Sequence, residues 1–272
     1  MGTTAQPGPA RRRLAAALVP LLLAAAAAPA SARRAAFRGP GPLTPSELAG
    51  AQASAAGAPA RDVRLSDERT LSRWAYVLAP THARSRPSLA APAVHLLTTT
   101  TSDYAPELVL VLAERRGADG RPWVLARLPM RPNGRVGWVP RWKLGAFHAV
   151  RTWLVIDRGL LRARLYDRGR VVWSQRIGVG KPSTPTPAGR YYVRERLVSI
   201  DPGGMYGPFA FGTSAYSPVL TDWPGGGVVG VHGTDQPWLV PGRPSHGCIR
   251  VRNPGIRALW RLMPLGTPIL IR

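Results

Sequence analysis

The residues best suited to chemistry lie near the C-terminus of this 272-residue chain. Cys248 is its only cysteine, and it shares a stretch of 17 residues with two histidines, His232 and His246. An imidazole within hydrogen-bond reach of a thiol can accept its proton and balance the charge of the thiolate. The glycine beside it, Gly247, would let backbone N–H groups approach a developing oxyanion. This pattern therefore favours nucleophilic acyl transfer.

Three other interpretations fit the same residues. The thiol could be a small buried hydrophobic group with its histidines satisfied in a core. It could join two histidines in a metal site, although structural zinc takes four ligands and the fourth would have to be His82, His95, His148 or an acid. The glycine and serine around it could also simply suit a turn. Spacing alone leaves these alternatives open.

A family resemblance favours nucleophilic acyl transfer over the other three interpretations. The segment His232-Gly233-Thr234, followed by Ser245-His246-Gly247-Cys248-Ile249-Arg250, is similar to the signature of the L,D-transpeptidases of the bacterial cell wall. The likeness extends upstream to residues 177–181 and 186–189, and downstream to residues 265–268. Several pieces in the same order make a chance match improbable.

The resemblance implies a role for each residue of the motif. Cys248 would be the nucleophile and His232 the general base. The remaining candidates surround these two: Gly233, His246 and Gly247 as orienting or oxyanion-site residues, and Arg250 and Ser245 as substrate-binding residues. A guanidinium suits a carboxylate of the substrate, whereas Ser245 is expected to shape the loop rather than react. No metal and no organic cofactor is implied.

The resemblance also implies a reaction. The donor would be a peptidoglycan stem tetrapeptide that loses its terminal D-Ala and leaves an acyl-enzyme on Cys248. An amine of a neighbouring stem would then resolve the thioester into a 3→3 cross-link, and β-lactams of the carbapenem type would be inhibitors. An L,D-carboxypeptidase or hydrolase using the same site is the alternative among enzymes. An inactive wall-binding module is the alternative outside them.

The elements around this motif are predicted to be mostly β. The chain has 29 Gly and 29 Pro, which favour turns and short strands over long helices. Residues 150–272 are predicted to form a β-sandwich-like catalytic domain, opening on hairpins over Val150–Ile156, Leu160–Tyr166 and Val171–Val179. A short helix should follow, with Asn253 as its N-cap and its end near Met263, before a closing strand over Pro268–Ile271.

Residues 72–147 are predicted to form a separate small β domain. Short apolar runs alternate there with turn signals, which is typical of a small barrel. Its pieces Arg84-Ser85-Arg86-Pro87-Ser88 and Gly137-Trp138-Val139-Pro140 resemble the start and end of bacterial SH3-like domains.

The N-terminus predicts export. Three arginines, an apolar run and the small residues Ala30-Ser31-Ala32 make residues 1–32 a secretory signal peptide, or a membrane tether if it is not cleaved. Residues 33–71, rich in Ala, Pro and Arg, are predicted to be a flexible linker. The protein should therefore reside in the periplasm or cell wall.

The positive charge of the chain has to be interpreted for an exported protein. The formal charge is +23, and removing residues 1–32, which hold three Arg and no acids, leaves +20. Outside the cytoplasm such a surface meets anionic wall polymers and peptidoglycan carboxylates, and no nucleic acid. A solvated surface with an arginine bias is the plainer interpretation.

Overall fold

Strands form most of the regular secondary structure, as predicted. The computed structural model describes residues 61–222 and 224–272. Within these ranges the strands form two sheets, and a single short α-helix lies near the C-terminus. Both sheets belong to one compact unit. The predicted signal peptide, residues 1–32, and most of the predicted linker lie outside the described residues.

The first sheet contains the N-terminal strands. They are β1 (Val63–Arg64), β2 (Ser72–Tyr76), β3 (Thr81–Arg84), β4 (Ala93–Leu97), β5 (Leu108–Arg116), β6 (Pro122–Arg127), β7 (Val136–Pro140) and β8 (His148–Val150). They pair in the order β4-β3-β7-β6-β5-β2-β8, with β1 on β5. Val109, Val111, Val124 and Val139 form the centre of its apolar core. Strand β5 begins as a continuous apolar run because it is buried on both faces: Val109 and Val111 lie in this core, and Leu108 and Leu110 lie in a second cluster.

One part of the linker prediction is wrong. Val63 and Arg64 pair with Glu114 and Ala113 on β5, and Leu65 N donates to Leu112 O at 2.8 Å. This short strand continues the edge of β5 beyond the end of β2, because the exposed backbone groups of β5 need partners there.

The pieces behind the SH3-like prediction are neighbours in this sheet. Arg84 on β3 pairs with Trp138 on β7. The relation of residues 72–147 to SH3-like domains stays a prediction.

The second sheet contains the C-terminal strands. They are β9 (Thr152–Asp157), β10 (Arg162–Asp167), β11 (Arg170–Arg176), β12 (Gly178–Gly180), β13 (Gly189–Val198), β14 (Phe209–Tyr216), β15 (Val228–His232), β16 (Gly242–Ser245), β17 (Ile249–Arg250) and β18 (Pro268–Ile271). Their order is β11-β10-β9-β18-β13-β14-β15-β17-β12-β16. The start of β13 pairs with β18 and its end with β14. Side chains from both halves, such as Leu165 and Phe211, share one core, in line with the sandwich-like prediction.

Two predicted strands are divided in the structure. The run Val150–Ile156 splits at Arg151, so that β8 joins the first sheet and β9 the second. The run Val171–Val179 splits at Ile177 into β11 and β12. Ile177 is fully buried in the core of the second sheet. Apolar content predicts both runs correctly but does not reveal the change of pairing partner.

The helix α1 (Asn253–Leu262) packs on the second sheet. Ile256 and Leu259 are buried at a helical spacing of three, and Trp173 donates from Nε1 to Gly255 O at 3.0 Å. The predicted N-cap is wrong, because the cap position is Arg252 and Asn253 is already helical. No helix in the described ranges is long and apolar enough to span a membrane.

The two sheets meet through a buried interface. Trp74, Leu108, Leu110 and Val150 of the first sheet pack around Tyr192 of the second. The Tyr192 hydroxyl donates to Leu108 O at 3.2 Å. Such burial of a large aromatic side chain with a satisfied hydroxyl is a stabilising arrangement.

A buried ion pair crosses the same interface. Arg194 on β13 forms a two-pronged pair with Glu107, just before β5, with Nε donating to Oε1 at 3.1 Å. Both side chains are almost fully buried. Thr101 Oγ1 donates to Glu195 Oε2 at 2.9 Å close by. The sheets are thus joined by specific polar contacts as well as by apolar packing.

Candidate active site

Cys248 lies on a short irregular loop between β16 and β17. Strand β17 runs parallel to β15, with Val231 beside Ile249. This pairing brings Gly230 against the loop, and its N–H donates to Cys248 Sγ at 3.4 Å. Gly247 adopts φ +125°, which favours glycine.

Burial keeps the Cys248 thiol protonated. Loss of solvent raises the pKa of Cys248, and the Gly230 N–H and the charge of Arg250 offset this only in part. The resting side chain is thus a neutral thiol at neutral pH.

His232 ends strand β15 and is buried. Its Nδ1 lies 2.6 Å from Gly233 O. Because a carbonyl oxygen can only accept, Nδ1 carries the proton and Nε2 is left with an open lone pair. The ring of Tyr206 contacts the imidazole edge to face, with centroids 4.9 Å apart. The imidazole is fixed in both orientation and tautomer.

Burial also keeps His232 neutral. It lowers the pKa of His232 to about 4, and the nearby charge of Arg250 adds to this effect. The Gly233 contact and Asp235 act in the opposite direction. A neutral imidazole that lines the same cavity as a thiol has the chemistry to accept a proton from it.

Ser245 holds the nucleophile loop together. Its hydroxyl donates to Cys248 O at 2.6 Å and accepts from Gly247 N at 3.1 Å. Thr186 Oγ1 donates to Gly247 O at 2.7 Å. The Gly247 N–H would have to leave Ser245 before it could serve as an oxyanion donor. The side chain of Ser245 is buried, as suits a loop-shaping residue.

The other two candidates lie at the edge of the site. His246 is exposed, with Nε2 3.4 Å from Lys181 Nζ. Arg250 donates from Nη1 to Gln236 Oε1 at 2.9 Å. The Arg250 Nε is buried and has no hydrogen-bond partner among the described residues. This guanidinium retains donors for a carboxylate of a ligand.

Two cavities meet at Cys248. The first, of about 120 Å³, and the second, of about 480 Å³, are both lined by Tyr206, Val228, His232 and Cys248. The first is also lined by Arg250, and the second reaches Asp103 in the connection between β4 and β5. Every predicted site residue except Gly233 and Gly247 lines the first cavity; these two contact residues that do.

Sequence reasoning missed three residues of the site. Gly230 contacts the sulfur and Tyr206 contacts the imidazole. Asn253 accepts from Thr234 N at 2.9 Å and so ties α1 to the loop after His232. A glycine inside a strand is a signal of close backbone approach, which could have pointed to Gly230. Nothing local marks Tyr206 or Asn253.

The positions of the histidines bear on the alternative of a metal site. Among the described residues, no three His, Cys, Asp or Glu side chains are grouped so that they could hold a metal ion. His82, His95 and His148 lie on β3, β4 and β8 of the first sheet.

Residues 151–271 match the model of the YkuD family, the L,D-transpeptidase catalytic domain. Two curated relatives carry the name L,D-transpeptidase YkuD. That of Bacillus licheniformis is 33% identical over 108 residues, which are 40% of this chain and 58% of the relative. That of Bacillus subtilis is 32% identical over 118 residues, 43% of this chain and 64% of the relative. The chain thus spans about three-fifths of the curated relatives.

Solved structures of this class are also similar. The catalytic domain of an Enterococcus faecium L,D-transpeptidase is 27% identical, with a TM-score of 0.33 over 44% of this chain and 96% of that one. L,D-transpeptidase 3 from Mycobacterium tuberculosis is 13% identical, with a TM-score of 0.38 over 72% of this chain and 100% of that one. The sequence matches show that residues 151–271 are similar to the L,D-transpeptidase catalytic domain of the YkuD family.

Proposed function

We propose that the protein is an exported L,D-transpeptidase that forms a thioester between Cys248 and a stem tetrapeptide of peptidoglycan. The observation that carries the proposal is the lining of both cavities by Cys248 and His232, with the His232 Nδ1 proton held by Gly233 O. That bond leaves Nε2 as the proton acceptor. The N-terminal pattern of residues 1–32 supports export.

The first half of the reaction forms the acyl-enzyme. As Sγ attacks the carbonyl carbon of the third stem residue, Nε2 of His232 takes the thiol proton. The Gly230 N–H, 3.4 Å from the sulfur, stabilises the developing charge on it. When the tetrahedral intermediate collapses, the C–N bond to D-Ala breaks and the imidazolium returns the proton to the leaving amine. A thioester and free D-Ala result.

The second half transfers the acyl group. An amine of a neighbouring stem attacks the thioester and gives a proton to His232. The C–S bond then breaks, and the sulfur recovers that proton as the 3→3 amide is completed. Two cavities that converge on one sulfur favour transfer between two large substrates over hydrolysis, since water needs no second cavity. An L,D-carboxypeptidase would use the same first half and end with water.

Arg250 completes the donor site in this proposal. It lines the first cavity and retains donors that could bind a carboxylate of the stem peptide. Anionic wall polymers would bind elsewhere, through the positive surface.

The mature protein should be acylated at Cys248 by a carbapenem, since the strained lactam carbonyl mimics the donor carbonyl. Intact-mass spectrometry should show one adduct on the wild type and none on Cys248→Ala, with equal melting temperatures. An adduct on Cys248→Ala would contradict the role of this thiol. Mass spectrometry of muropeptides then separates the two reactions, because transfer yields 3→3 dimers and hydrolysis yields tripeptides.

A further inference from the structure

A turn of the first sheet holds the wall of the cavity at Cys248. Arg131, between β6 and β7, reaches a loop of the second sheet that we call the wall loop, residues 217–222 and 225–227. Its Nε donates to Ser217 O at 3.1 Å. Its Nη2 donates to Leu220 O at 2.9 Å and to Gly226 O at 2.8 Å. One guanidinium thus satisfies three carbonyls of the wall loop.

The wall loop depends on such a partner. Gly225, Gly226 and Gly227 all have φ between 66° and 76°, a conformation that glycine adopts without strain. A Cβ on Gly227 would lie 2.1 Å from Leu220 O and 2.7 Å from the Arg131 guanidinium. The chain therefore folds tightly around the guanidinium. The three carbonyls are part-buried or exposed, so the guanidinium does not replace missing partners but fixes their positions relative to one another.

Asn133 provides a second attachment from the same turn. Its Nδ2 donates to Tyr216 O at 2.7 Å, and its Oδ1 accepts from Tyr216 N at 3.0 Å. The amide thus takes the place of a neighbouring strand at the end of β14. The guanidinium of Arg131 also lies over the Tyr216 ring, 4.8 Å from its centroid. Both attachments lie directly before or within the wall loop.

The wall loop is part of the first cavity. Ser217, Leu220 and Gly227 line it together with Cys248. We propose that Arg131 and Asn133 are positioning residues for acylation of Cys248, so that the first sheet completes the active site of the second. This rests on the proposed function. It assigns residues 72–147 a task within the enzyme, besides any binding to the wall.

The test uses the full mature chain and two acylating or alkylating probes. Arg131→Ala should lower the rate of carbapenem acylation by roughly ten- to hundredfold, because a displaced cavity wall misaligns the lactam. Iodoacetamide needs no cavity wall, so its rate with Cys248 should stay within about twofold. Arg131→Lys should be intermediate, since an ammonium lacks the planar fork that reaches several carbonyls. Hydrogen exchange of residues 217–222 should rise in Arg131→Ala.

Arg135→Ala is the matched control, because Arg135 is exposed in the same turn and the charge change is identical. Equal carbapenem acylation of Arg131→Ala and Arg135→Ala would overturn the proposal. An equal fall in both probes, together with a large drop in melting temperature, would also overturn it, since that indicates general unfolding. Absence of acylation in the wild type would instead contradict the proposed function.

Discussion

At the scale of single residues, the resting site holds a neutral pair. Desolvation raises the pKa of Cys248 and lowers that of His232, so neither side chain is charged at neutral pH. Both directions favour the neutral thiol and the neutral imidazole, so under the proposed function proton transfer should accompany attack on the substrate. Gly230 and Gly233 complete the arrangement through their backbone groups.

His232→Ala should lower carbapenem acylation by about 10² to 10⁴-fold, because the reaction loses its general base. The wild-type rate should be constant across neutral pH and fall as the pH drops through about 4, where His232 becomes protonated. His246→Ala is the control, and it should retain the same acid limb. Acylation rates from pH 3 to 8 test this. An unchanged rate in His232→Ala would show that another group is the base.

Unfolding must be measured over the same pH range. The folded pKa of His232 lies below its ordinary value of 6.5, so the unfolded chain binds more protons between about 4 and 6.5. The free energy of unfolding therefore falls as the pH drops through that window. Circular dichroism at each pH separates loss of the base from loss of the fold.

At the scale of elements, parallel pairing of β15 with β17 is the step that builds the site. It sets Val231 beside Ile249 and His232 beside Arg250, and the imidazole of His232 lines the same cavity as Cys248, which directly precedes β17. The interface between the sheets is equally specific. Its centre is the Arg194–Glu107 pair, which lies in a region of low dielectric constant.

Glu107→Ala should lower the free energy of unfolding by about 3 to 5 kcal/mol, because Arg194 would stay buried without its counter-charge. Asp62→Ala removes the partner of Arg115 in a pair that is more than a third exposed. Its cost should be much smaller, because solvent screens an exposed ion pair. Urea unfolding of both variants provides the comparison. Similar losses would indicate that the Arg194–Glu107 pair adds little to the interface.

At the scale of the whole molecule, the two sheets act together. Trp74 packs against Gly266 so closely that a Cβ there would lie 1.9 Å from the indole. The shared cluster around Tyr192 would be exposed if either part were isolated. Binding to the wall is therefore best measured on the whole mature chain.

The mature chain, with a charge of +20, should bind purified sacculi and release them as salt rises. The screening length falls from about 10 Å at 0.1 M to about 3 Å at 1 M, which weakens attraction between exposed charges. Pull-down with sacculi over this range of salt concentration tests the prediction. The Cys248→Ala variant is used so that no substrate is consumed. Binding that does not change with salt would indicate a specific pocket instead of surface charge.

The sequence alone determined the chemical groups and the local structure. A lone cysteine near two histidines, with the surrounding motif, indicates the family, and short apolar runs between turn signals locate most strands. Pro268–Ile271 was predicted at its observed bounds. These features depend on short stretches of chain, where side-chain periodicity and turn residues act directly.

Only the tertiary structure decided the surroundings of the Cys248 thiol and the His232 imidazole. The contact of Gly230 with the sulfur follows from strand pairing, and the pKa shifts of Cys248 and His232 follow from burial. The bond from Arg131 to Ser217 joins residues 86 positions apart. Such effects depend on which distant segments pack together and exclude water, and no local pattern records that choice.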